Sequence, residues 1–123
     1  MTSTYHLGLL ILRISFSGLM LVHGIPKLWD VLQGDFGFGD PFGIGEPLTK
    51  ILAIIGEVIC PLLIIIGYKT RLAAIPTFIT MAVAAFVIHG DDPFGSKEKA
   101  LLYGFAFLVI ALVGAGKFSV DKK

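Results

Sequence analysis

Four apolar stretches, each close to the ~20 residues an α-helix needs to cross hydrocarbon, account for most of this chain. They run from about Leu7 to Trp29, Pro47 to Gly67, Arg71 to Gly90 and Lys97 to Gly116. The expected fold is all-α: an integral membrane four-helix bundle, one domain over residues 1–123 with helices at about 7–29, 47–67, 71–90 and 97–116. Composition agrees, because only 15% of residues are charged, against about 25% in soluble domains. That leaves too little polar surface to coat a soluble globule, so the lipid bilayer is the expected solvent.

Other classes drop out. The net charge of +1 gives no field for nucleic acid, and most aromatics are Phe inside apolar runs. The one cysteine, Cys60, excludes an intrachain disulfide or a Cys-x-x-Cys pair. The first apolar segment reads as retained, since residues 1–6 carry no Lys or Arg and no Ala-x-Ala site follows.

Punctuation supports the helix boundaries. Pro47 suits a first helical turn, and Gly67 fits just past a helix end. Thr70 and Ser96 are expected N-caps. Tyr68-Lys69-Thr70 makes a tight hairpin of the second and third helices. Asp-Pro-Phe-Gly occurs at Asp40–Gly43 and again at Asp92–Gly95, good turn chemistry in two loops on one side of the membrane. The side with the termini carries Lys69, Arg71, Lys117, Lys122 and Lys123. The other side carries Lys27, Lys50, Lys97 and Lys99 together with seven acidic residues. Both termini are therefore expected in the cytoplasm.

Ionisable residues inside membrane helices cost about 2.5–3.5 kcal/mol each at mid-helix, so something must compensate them. At 100° per residue, Arg13, Ser17, Met20, His23, Gly24 and Lys27 share one face about 120° wide, which must look into the bundle. Glu57 lies mid-way along the second helix, and Pro61, four residues on, deprives its carbonyl of a hydrogen bond. Two readings of Glu57 stand: a structural ion pair with Arg13, or part of a site. Lys27 and Glu98 could snorkel to headgroups. Together, His23, Lys27, Glu57, His89 and Glu98 form a candidate polar, ligand-binding cavity at the outer end, with Glu57 as its deeper floor. Such a group could bind an anion or pass protons. A metal is disfavoured because Lys27 would repel it, and no catalytic residue is assigned.

The ordered set of Arg13, His23-Gly24-Ile25-Pro26-Lys27, Glu57, Gly67-Tyr68-Lys69-Thr70-Arg71-Leu72-Ala73-Ala74, His89, Glu98-Lys99-Ala100-Leu101-Leu102-Tyr103 and Gly114-Ala115-Gly116-Lys117-Phe118-Ser119-Val120-Asp121 resembles the DoxX family of small bacterial membrane proteins. Cys60-Pro61 departs from the Gly pair that often follows the family's glutamate. The resemblance implies four membrane helices, an inner-membrane location and a link to redox biology. Some relatives look like subunits of thiosulfate–quinone oxidoreductases, and others associate with enzymes of oxidative or thiol stress. The leading expectation is an auxiliary membrane subunit of a redox or oxidative-stress assembly that binds a quinone or small anion beside other protein subunits. The alternatives are a quinone-linked oxidoreductase and a purely structural anchor.

Overall fold

The computed structural model describes residues 3–37, 43–88 and 93–122. They form four helical rods. The first is α1 (Ser3–Leu32). The second joins α2 (Glu46–Ile54) to α3 (Cys60–Ile66) through a π turn, Ile55–Ile59. The third is α4 (Thr70–Val83), continued by a second π turn, Ala84–Ile88. The fourth is α5 (Phe94–Val113). Each rod packs on its neighbours in chain order, and α5 closes the ring against α1.

Three rods are long and apolar enough to cross a membrane: Ser3–Leu32, Glu46–Ile66 and Thr70–Val87. The fourth is 20 residues long but carries Lys97, Glu98 and Lys99 near its start. Outside the ring, Leu19, Val22, Leu62, Leu72, Phe86, Phe105 and Leu112 are all exposed. A contiguous apolar coat of this kind is a lipid-facing surface. Inside, Met20, Cys60, Ile64, Ala74, Phe107 and Ile110 form the core. The buried residues of α1 are Leu9, Arg13, Ser17, Met20 and Gly24, one stripe as the periodicity requires.

The first π turn follows from Pro61. Cys60 N–H reaches back five residues to the Ile55 carbonyl, the π pattern. The next such bond would run from residue 61 to the Gly56 carbonyl, and proline has no N–H. Thr77 Oγ1 on α4 donates to that carbonyl instead, at 2.6 Å. Glycines let the turn sit between two neighbours. A Cβ on Gly56 would collide with Thr80, and one on Gly24 would lie 2.5 Å from the Glu57 carbonyl oxygen.

The C-terminal segment seals the opposite end. Val120 and Asp121 N–H donate to the carbonyls of Ile66 and Gly67. The Asp121 carboxylate accepts from Lys69 and Thr70 N–H, both at 2.8 Å. Two expected caps are thereby corrected. Lys69, not Thr70, is the N-cap of α4, and Asp121 supplies the acceptor from a distant part of the chain. On α5 the N-cap is Pro93, not Ser96, because the helix starts at Phe94. Gly67 does end α3 in the left-handed region, at φ 76°.

Replacing Gly24 with Ala should destabilise the bundle by about 1–3 kcal/mol, because the clash is with rigid backbone. Gly18→Ala, with nothing within 4 Å of the added methyl, should be neutral or stabilising by up to ~1 kcal/mol through helix propensity. Thermal unfolding in detergent micelles compares the two; equal effects would show that the close contact is unimportant.

Candidate functional site

The close approach at Gly24 positions the polar groups. Lys27 lies one turn further along α1, so its ammonium reaches Glu57 on the π turn. Lys27 Nζ and Glu57 Oε1 are 2.6 Å apart, with the Glu57 side chain 5% exposed and that of Lys27 27%. Breaking such a pair from one side strands a charge and typically costs about 3–5 kcal/mol.

This pair lines a cavity of about 390 Å³ bounded by Met20, His23, Met81, Ala84, Lys99 and Tyr103, with Gly95 and Ala100 completing the described wall. Both π turns meet it, the first through Glu57 and the second through Ala84. Such turns often mark functional sites, because they break the regular bonding of a helix and re-aim its side chains. The His23 and Tyr103 rings meet edge to face, centroids 5.6 Å apart, and Phe16 braces Tyr103 from the other side at 6.1 Å. His23 interacts electrostatically with Lys99, Lys27 and Glu57. The wall thus combines cationic and hydroxyl donors, one carboxylate and two thioethers, a set suited to holding a small molecule with an electron-rich head.

Of the expected cavity residues, the structure brings together His23, Lys27 and Glu57. Glu98 is off the wall; its neighbour Lys99, which is likewise exposed, borders the cavity in its place. The inward face of α5 runs Gly95, Lys99, Tyr103, a four-residue spacing that a helical projection of this segment finds. Glu98 lies one residue, about 100°, out of phase with it. His89 lies outside the described residues, as do Asp40, Pro41, Phe42 and Asp92 of the two Asp-Pro-Phe-Gly motifs.

The Arg13–Glu57 ion pair does not form. Glu57 sits level with Gly24, eleven residues and about 16 Å of helix rise from Arg13, which is beyond an arginine's reach. Arg13 is 1% exposed and donates to the Phe118 carbonyl, at 2.8 Å from Nη2 and 3.4 Å from Nη1. It holds down the C-terminal segment instead. For the same reason Glu57 is not a deep floor: it stands beside Lys27 on the cavity wall.

A double-mutant cycle separates these arrangements. Lys27→Met and Glu57→Gln should couple by about 0.5–3 kcal/mol, whereas Arg13→Met and Glu57→Gln should add to within about 0.5 kcal/mol. Coupling of Glu57 to Arg13 and not to Lys27, measured by unfolding in detergent, would reverse the assignment.

The DoxX family model matches residues 8–90, which include Lys27 and Glu57. An uncharacterized protein of Haemophilus influenzae is 31% identical, covering 91% of this chain and 87% of its own. "Inner membrane protein YphA" of Escherichia coli is 30% identical over 94% of this chain and 89% of its own. "Putative oxidoreductase CatD" of Bacillus subtilis is 25% identical over 98% and 90%. No solved structure matches. With a family match across two of its four rods and most of a third, and relatives aligned along almost its whole length, this four-helix membrane protein belongs to the DoxX family.

Proposed function

We propose that this protein is a small-molecule-binding auxiliary subunit of a redox or oxidative-stress assembly in the bacterial inner membrane. The observation that carries the proposal is the cavity beside the Lys27–Glu57 pair, where charged and hydroxyl groups surround a space large enough for a ligand. The candidate ligands are a quinone and a small anion. The residues present suit a quinone. Lys99, His23 and Tyr103 can donate to its carbonyl oxygens, and Met20 and Met81 offer polarisable contact to a flat ring. When bound, a quinone would supply electron-accepting chemistry that the chain lacks, since its single cysteine is buried in the core. The chain's own contribution is to bind and orient the head group, with the imidazole of His23 able to exchange a proton.

A second reading is a quinone-linked oxidoreductase, favoured by the likeness to the Bacillus subtilis oxidoreductase-type relative CatD. Proton transfer at Glu57 and His23 would then accompany turnover. A partner subunit distinguishes the two readings: the auxiliary role needs one for activity, and the enzyme does not.

Native mass spectrometry of protein extracted directly from its host membrane tests for binding. A small-molecule adduct should be present, and His23→Gln should remove it while keeping folded yield within about twofold, as expected for a partly exposed substitution. A loss of yield with no adduct in either protein would favour the structural anchor.

Orientation has its own test. In a Cys60→Ala background, cysteines replacing Lys69 or Lys122 should be protected from an impermeant thiol reagent applied outside intact cells, and one replacing Phe36 should react. Labelling at Lys69 would place the termini outside.

A further inference from the structure

Among the described residues, the charges around the cavity do not balance. Lys27 and Glu57 neutralise each other at 2.6 Å. Among the described residues on the wall, Glu57 is the only acid, while Lys99 is a second permanent cation and His23 a third group able to take a proton. Lys99 makes no ion pair with any described residue. The described wall therefore carries a net positive charge, contributed by a residue that contacts the space a ligand would fill.

The rest of the wall is segregated by chemistry. Lys99, His23 and Tyr103 supply polar groups from α5 and α1, while Met20, Met81, Ala84 and Ala100 give an apolar surface from α1, α4, the second π turn and α5. A neutral quinone would use the donors but leave the extra charge uncompensated. An anion would use both.

We infer that the occupant is an amphipathic organic monoanion, its head on Lys99 beside His23 and its flat apolar body against Met20 and Met81. This rests on the binding role proposed above and narrows it, making Lys99 the residue that selects charge. The anionic head could belong to a free small molecule or to an acidic lipid, and the inference commits to the former.

The test uses full-length protein in phosphatidylcholine nanodiscs with three probes: 2-naphthoate, its neutral isostere 2-naphthamide, and a short-chain ubiquinone. A charge-assisted contact should make naphthoate bind roughly ten- to hundredfold more tightly than naphthamide. Lys99→Gln should erase that advantage and Lys99→Arg should keep most of it. Lys97→Gln, which removes the same charge off the cavity wall, should leave it intact. Equal binding of acid and amide, or an advantage that survives Lys99→Gln, overturns the inference. Tight binding of the ubiquinone alone overturns it too but leaves the binding role standing, whereas no binding by any probe removes both. Competitive displacement of naphthoate by phosphatidylglycerol in the same nanodiscs would assign the head to a lipid and overturn the small-molecule occupant.

Discussion

The contact between Gly24 and the Glu57 carbonyl sets the geometry of the cavity end of the bundle. A side chain at residue 24 would push α1 away from the π turn. At the wider separation that ordinary side chains impose, Lys27 would have to stretch across the gap to its partner. The approach is prepared from the other side as well. Pro61 denies the preceding turn a backbone donor, the turn widens, and Thr77 supplies the missing hydrogen bond from α4. Gly56 then lets α4 come close enough to do so. Two glycines, one proline and one threonine thus bring a buried carboxylate to the wall of a cavity, with its counter-ion already placed.

The bundle's two ends are built on different plans. At one end the C-terminal segment folds back and pairs its backbone with the end of α3, while Asp121 caps α4. Arg13 anchors this segment through the Phe118 carbonyl. Buried backbone groups need partners, and here each partner comes from a segment far away in sequence. At the other end the helices stay apart around the cavity. Among the described residues, the cavity thus lies at the end opposite the termini.

The sequence made the broad architecture legible, because apolar length and helical period are local properties. Four rods, the inward stripe on α1 and the special geometry around Pro61 all follow from them. The partners of the buried charges were not legible. Arg13 and Glu57 have opposite charges, but pairing them requires knowing which turn of α1 abuts the second rod, and that is fixed by Gly24 in three dimensions. Lys99 borders the cavity and Glu98 does not, because the two differ by about 100° in helical phase. An acid near a helix start suits the helix dipole, but the dipole says nothing about which face turns inward, and α5 starts at Phe94, which leaves Glu98 beyond its first turn. Asp121 had no local signature as a cap, since it acts across more than fifty residues. The π turns add a further difficulty: each changes the angular step per residue, so a face defined before the turn does not continue unchanged after it.

Why the polar end is charged at all bears on the choice between a binding subunit and a plain anchor. Each ionisable side chain within a membrane segment carries an insertion cost of about 2.5–3.5 kcal/mol at the centre, less towards the ends. A buried pair such as Lys27–Glu57 is often no more stabilising than apolar residues of the same volume. An anchor needs only that the helices hold together, and the aromatic and aliphatic core with the tail seal at the far end already does this. Filling the cavity with Leu and Phe would serve an anchor better than lining it with two ammoniums, an imidazole and a carboxylate. Stability alone gives no reason for these groups. A ligand of the proposed kind would supply one, and would account for the placement of His23, Lys99 and the Lys27–Glu57 pair around an open space.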